Sequence, residues 1–216
     1  MQAVFFDMDG LLVDTEKVWL AVETEVAERL GGSWGPEHSE RLVGGSLAAT
    51  AAYLVRVTGT TATPAEVAEL LLEGVLRRLA QGVAPMPGAL ELLAEVRRAG
   101  VPAGLVTSSV RPIADAVLAA VGRARFDTVV TGDEVARPKP DPEPYLTAAR
   151  RLGVDPGRCV ALEDSPNGVT AATAAGCRVV AVPSVLPIPS APGRLVVPSL
   201  RDVSLDTLRD LAARPV

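Results

Sequence analysis

The sequence is short of lysine, histidine, cysteine and aromatic residues. Two of its 21 basic residues are lysines, Lys17 and Lys139; the other nineteen are arginines. His38 is the single histidine, and Cys159 and Cys177 are the two cysteines. Each scarcity excludes a chemistry. A Ser-His-Asp triad or a multi-histidine zinc site asks more than His38 supplies. Neither lysine follows a glycine, so there is no Walker A loop. The cysteines stand eighteen apart, with no CxxC and no disulfide framework, and two buried structural thiols fit a reducing cytosol. Aromatics make up 3% of the chain, so Ala, Val and Leu must build the core. No run reaches the roughly 18 apolar residues of a membrane helix. MQAVFFDMDG at the start lacks the basic region of a signal peptide. A net charge of −5 with no basic block argues against nucleic acid as a partner. The composition predicts a cytoplasmic monomer with no membrane and no nucleic acid in its function. The arginine excess reads as codon bias.

Periodicity divides the chain. Val4 to Phe6 is a short apolar run ended by Asp7, which suits a buried strand. Residues 15–83 read as helices only. Val18, Val22, Val26 and Leu30 recur every fourth residue before Gly31-Gly32, and Ser46 caps a second helix that reaches Gly59. Thr63-Pro64-Ala65-Glu66 is a capping box with proline at the first helical position. After Pro85, short Val-rich runs alternate with helical stretches: strands over 101–106, 127–130, 158–162, 178–182 and 195–197, with a last helix from Ser204. That alternation reads as a parallel sheet covered on both faces. The expected fold is α/β, with a Rossmann-like core (1–14 and 84–216) and a helical cap (15–83) inserted after the first strand. Gly82 and Gly88 are candidate hinges.

The polar residues gather where the strands end. Asp7 ends the first strand, with Asp9 two residues on. Thr107 and Ser108 end the 101–106 run, and Glu163 and Asp164 end the 158–162 run. Open parallel sheets bind ligands at these carboxyl ends. If the three strands are neighbours, four carboxylates and two hydroxyls share one crevice, and the Lys139 loop points to the same edge. So many carboxylates need a counter-charge. A divalent cation supplies it, and all-oxygen ligation suits Mg²⁺. A carboxylate beside such a cation can attack phosphorus. Asp7 is the candidate nucleophile and Asp9 the general acid and base. Thr107 and the Ser108 amide are candidate phosphate ligands, and Lys139 balances charge.

Asp7-Met8-Asp9-Gly10-Leu11-Leu12-Val13-Asp14-Thr15 resembles DxDGxxxD, the first motif of the haloacid dehalogenase-like superfamily. Thr107-Ser108-Ser109, Lys139-Pro140 and Glu163-Asp164-Ser165 resemble its second, third and fourth motifs, in order, across nearly the whole chain. The helical insert resembles the cap of the β-phosphoglucomutase-like phosphatase branch. The resemblance implies Mg²⁺-dependent phosphoryl transfer through an aspartyl-phosphate. It maps the nucleophile to Asp7, the acid/base to Asp9, and metal ligands to the Asp7 side chain, the Asp9 carbonyl and Asp164, with Glu163 beside it. β-Phosphoglucomutase carries a histidine where this chain has Trp19, and a cap arginine where it reads Gly44-Gly45-Ser46-Leu47. The reading is therefore a phosphatase of a small phosphorylated metabolite, a sugar or polyol phosphate. The alternatives are a sugar-phosphate isomerase and a non-enzymatic phosphometabolite-binding protein. Glu16, Trp19, Leu47 and Arg111 are candidates to touch substrate, whereas His38, in the polar stretch PEHSE, reads as a solvated side chain.

Overall fold

A computed structural model describes residues 1–214. Among them, six strands form one parallel sheet: β1 (Ala3–Phe6), β2 (Ala103–Val106), β3 (Thr128–Val130), β4 (Cys159–Glu163), β5 (Arg178–Ala181) and β6 (Arg194–Val196). Their order is β3-β2-β1-β4-β5-β6. The chain builds outward from β1 to β3 on one side, then returns to place β4 on the other. This reversal makes β1 the switch point, the place where an open α/β sheet forms a ligand crevice. Register puts Phe6 beside both Leu105 and Leu162, so Asp7, Thr107 and Glu163 emerge along one edge.

Alternation along β1 sorts the core into two layers. Val4 and Phe6 pack on one face with α5 (Ala89–Arg98), α6 (Arg111–Val121) and α9 (Leu205–Ala213). Ala3 and Phe5 pack on the other with α7 (Glu143–Leu152) and α8 (Pro166–Ala174). Side chains in a strand point to opposite faces in turn, and burial on both explains why these strands read as unbroken apolar runs.

Five helices lie between β1 and β2; ahead of α5 come α1 (Glu16–Arg29), α2 (Pro36–Glu40), α3 (Leu47–Thr58) and α4 (Pro64–Leu79). The Thr63–Glu66 capping box opens α4, the Ser46 hydroxyl accepts from the Ala49 amide at the start of α3, and Gly59 ends α3 at φ 65°. α2 is a helix where the sequence reads as a polar turn. Pro36 stands in its first turn, and five residues are too few for apolar periodicity to register. The apolar faces of these helices continue the core, with Leu54, Leu71 and Val75 in one cluster with Val4 and Phe6.

The two chain crossings between core and helices run side by side. The Asp14 amide donates to the Ala84 carbonyl (2.9 Å) and the Met86 amide to the Leu12 carbonyl (3.0 Å). The candidate hinges separate here. Gly82, at φ 107°, has open space where a side chain would stand, whereas a Cβ on Gly88 would meet the Arg201 amide at 2.5 Å. Gly88 is thus packed closely against the Leu200–Arg201 backbone.

Candidate active site

Asp7 follows β1 directly, and its amide donates to the Leu162 carbonyl (3.0 Å), extending the ladder past the strand end. Its carboxylate meets Lys139, whose Nζ donates to Asp7 Oδ1 (2.6 Å), Glu163 Oε1 (2.6 Å) and the Val106 carbonyl (2.8 Å). All three ammonium protons are thereby used. The Tyr145 hydroxyl also donates to Glu163 Oε1, and its ring lies 5.1 Å from Lys139 Nζ. Lys139, Glu163 and Tyr145 are buried.

Asp7, Glu163 and Asp164 each place a carboxylate oxygen within 4.8 Å of the others. Burial pushes the Asp7 carboxyl well above the usual range. The Lys139 ammonium opposes that rise, and Glu163, Asp164 and Asp9 reinforce it. Asp164 is raised by burial and by Glu163, against a hydrogen bond from the Ser184 hydroxyl to its Oδ2 (2.6 Å). Lys139 is held as an ammonium, its two carboxylate partners outweighing its burial. One lysine does not balance three carboxylates. Glu163 Oε2 is buried with no hydrogen-bond partner. An all-oxygen donor set, an orphaned carboxylate oxygen and surplus negative charge fit a hard divalent cation. Gly10, at φ 75°, clears the approach, because a Cβ there would run into Asp164 Oδ2.

Four donors aim at Asp9. Its Oδ1 accepts from Thr15 Oγ1 (2.7 Å) and Trp19 Nε1 (3.4 Å), and its Oδ2 from Ser109 Oγ (2.8 Å) and Thr107 Oγ1 (3.2 Å). Thr15 stands at the N-cap of α1 yet makes no capping bond. Its hydroxyl serves Asp9 instead, which ties the start of the cap to the floor of the site.

A cavity of about 240 Å³ opens above these groups, lined below by Asp7, Asp9, Ser108, Lys139 and Asp164 and above by the helical insert. Glu16, Trp19, Leu20 and Glu23 line it from one face of α1, at the i, i+3, i+4 and i+7 spacing that shares a face. Burial, with Asp9, Glu23 and Asp14 nearby, pushes the Glu16 carboxyl up to about 7. The loop before α3 reaches the core: Ser108 Oγ donates to the Gly44 carbonyl (3.3 Å) and Asn167 Nδ2 to the Val43 carbonyl (3.4 Å).

The sequence-derived candidates separate cleanly. Asp7, Asp9, Ser108, Lys139, Asp164, Glu16, Trp19 and Leu47 line the cavity. Glu163 lies beneath it, and the Thr107 hydroxyl is turned to Asp9. Arg111 does not reach it. Its guanidinium pairs with Glu134 (2.7 Å) and Asp115 (3.6 Å), because two carboxylates stand closer to the start of α6 than the cavity does. His38 is half-buried rather than freely solvated. Its ring stacks on Trp34 (4.8 Å between centroids) and its Nδ1 lies 2.9 Å from the Tyr53 hydroxyl.

A model of the haloacid dehalogenase-like hydrolases matches residues 1–176. The chain belongs to this family. It is 36% identical to hexitol phosphatase A of Escherichia coli over 183 residues, covering 82% of this chain and 81% of the relative. It is 33% identical to hexitol phosphatase B of the same organism, covering 98% and 95%. The solved structure of a CbbY variant from Rhodobacter sphaeroides in complex with xylulose-(1,5)bisphosphate superposes with a TM-score of 0.88. It is 30% identical and covers 96% of this chain and 99% of that one. With such relatives, this member of the family is a phosphoric monoester hydrolase. No helix among the described residues is long and apolar enough to cross a membrane.

Five residues at this hydrolase's site escaped the sequence reading: Thr15, Ser109, Ser184, Tyr145 and Glu23. Thr15 adjoins the first motif and Ser109 closes the second, and that position was the available signal. Glu23 sits seven residues beyond Glu16 on the same helix, a spacing that pattern alone could reveal. Ser184 and Tyr145 carried none, since only the folded chain brings them to Asp164 and Glu163.

Proposed function

We propose that the enzyme is a Mg²⁺-dependent phosphatase of a small phosphorylated sugar or polyol, acting through an aspartyl-phosphate on Asp7. One observation carries the reading: the Asp7 carboxylate, at the end of the central strand, is held by Lys139 inside a cluster of three carboxylates. The names of the relatives, two of them hexitol phosphatases, support the substrate class.

Lys139 occupies Asp7 Oδ1, and no protein donor among the described residues reaches Oδ2. That oxygen attacks phosphorus, and the bond from phosphorus to the ester oxygen breaks. Asp9 gives the departing oxygen a proton, then takes one from the water that attacks the phosphoryl group on Asp7. Asp7 leaves as a free carboxylate and phosphate is released. Ser108 and Thr107 hold phosphate oxygens at the loop before α6, Thr107 exchanging its bond to Asp9 for one to the ligand. Asp7, the Asp9 carbonyl and Asp164 would hold Mg²⁺, with Glu163 beside it. The ion, when bound, neutralises charge on the transferring phosphoryl group. Residues 15–83 act as the cap and exclude water from the first step.

The test is release of phosphate from a panel of sugar and polyol phosphates with Mg²⁺, and its loss with EDTA. Asp7→Asn lowers turnover by roughly a thousandfold or more. Near-full turnover by that variant refutes the nucleophile. With β-glucose 1-phosphate the product is free phosphate; glucose 6-phosphate as the main product identifies an isomerase instead.

A further inference from the structure

We propose that Glu23 determines substrate specificity: its free Oε1 accepts a hydrogen bond from a hydroxyl in the substrate's tail and disfavours a tail that carries a second phosphate. This rests on the phosphatase reading above and narrows its substrate class to monophosphates with a neutral, hydroxylated tail.

Glu23 is 4% exposed, yet it lines the cavity. Its Oε2 is fixed by Ser39 Oγ (2.7 Å) and Trp34 Nε1 (3.2 Å). Its Oε1 receives no hydrogen bond from any described residue. That oxygen is not among the fully buried unpartnered atoms, so it still meets the cavity, where a ligand hydroxyl can replace water as a charge-assisted donor. Ser39 and Trp34 hold the group rigidly, so little freedom is lost when the ligand binds.

Position along α1 says which part of the ligand meets it. Trp19 donates to Asp9, beside the reacting atoms. Glu23 stands four residues further, about 6 Å along the helix on the same face. Phosphate at Asp7 therefore leaves the far end of a small sugar or polyol pointing at Glu23.

Charge says what that end must be. Glu16 and Glu40 line the same upper wall. The cations that line the cavity are Lys17, paired with Asp14 at 2.6 Å, and Lys139, whose three donors are all used. No arginine lines it, despite nineteen in the chain. A second phosphate would face acidic side chains with no cation free to pair with it, which disfavours it in a site partly shielded from water. A hydroxyl meets the same carboxylate as a charge-assisted donor.

Steady-state kinetics with Mg²⁺ test this on sorbitol 6-phosphate, fructose 1,6-bisphosphate and p-nitrophenyl phosphate. Wild type has the higher kcat/KM on sorbitol 6-phosphate than on the bisphosphate. Glu23→Gln raises KM for sorbitol 6-phosphate by about tenfold, the worth of one bond to a charged group, with kcat changed less than about twofold. It lowers kcat/KM on p-nitrophenyl phosphate, whose leaving group offers no hydroxyl, less than on sorbitol 6-phosphate, and it narrows the gap to the bisphosphate. Ser39→Ala, which loosens Glu23 without removing it, moves KM the same way by about threefold. Circular dichroism confirms that each variant is folded. Unchanged selectivity in folded Glu23→Gln, or in Ser39→Ala should the first variant not fold, overturns the assignment while leaving the phosphatase intact. Faster wild-type turnover of the bisphosphate also overturns it. A wild type that hydrolyses none of the three esters sinks both readings.

Discussion

The floor of the site and its roof are built to different standards. On the floor, the three Lys139 bonds span 2.6–2.8 Å. Where the roof meets the floor, Ser108 to Gly44, Asn167 to Val43 and Trp19 to Asp9 span 3.3–3.4 Å. Hydrogen bonds weaken as they lengthen, so the long set opens at lower cost than the short set. The exception is Thr15 to Asp9 at 2.7 Å, which sits at the crossing itself, where a bond survives rotation. The contrast fits the proposed mechanism, with chemistry on a tightly bonded floor and entry and selection at a more loosely bonded roof.

The sharpest way to break that contrast is to remove the floor's cation. Lys139→Met leaves Asp7 and Glu163 buried without their counter-charge. Breaking a buried pair on one side costs about 3–5 kcal/mol. Urea unfolding with EDTA present should show a loss of that size, and Mg²⁺ should restore part of it by binding the carboxylates. Lys139→Arg keeps the charge but places a planar fork where a point charge with three short bonds stood, and turnover falls even where stability recovers. Arginine as active as lysine here would reduce Lys139 to a chance survivor of the codon bias that supplied the other basic residues.

A smaller effect tests the roof. Burial lifts Glu16 from an ordinary 4.5 to about 7. A carboxyl raised by folding binds its proton more tightly in the native state. Stability from this group is therefore full below about pH 4.5 and is lost as pH rises toward 7. Partial exposure to solvent discounts the effect to about 1–3 kcal/mol. Glu16→Gln cannot titrate, so its unfolding free energy should fall less than that of wild type between pH 5 and 8, both with EDTA. Parallel pH profiles would mean that Glu16 is solvated and that the roof presses less closely on Asp9 than the structure shows.

These two regions also differ in what the sequence discloses. Asp7, Thr107 and Glu163 were legible because each ends a buried run, and a polar residue after Val-rich strands has few other uses. Strand order was not legible, yet it is what turns three separate strand ends into one edge. The Thr63–Glu66 box and the Ser46 cap were legible for the same local reason. The roof was harder. His38 looked solvated because its neighbours in sequence are polar, whereas its neighbours in space are Trp34 and Tyr53. Glu23 drew no notice in sequence, because Ser39 and Trp34, which fix its second oxygen, stand eleven to sixteen residues away. Local chemistry shows in sequence, and tertiary contact does not.

The smallest predicted effect marks the edge of the site. Arg111 follows the Ser108 loop closely enough to suggest a substrate contact, but its guanidinium is committed to Glu134 and Asp115. The pair is partly exposed, and such pairs are worth about 0–1 kcal/mol. Arg111→Ala should therefore change kcat/KM on any phosphate ester by less than about twofold and lower stability by about 0.5 kcal/mol. A tenfold rise in KM with kcat unchanged would show that Arg111 leaves Glu134 to meet the substrate. The upper wall would then gain a cation that the resting arrangement keeps elsewhere, and the discrimination against a second phosphate argued from Glu23 would weaken with it.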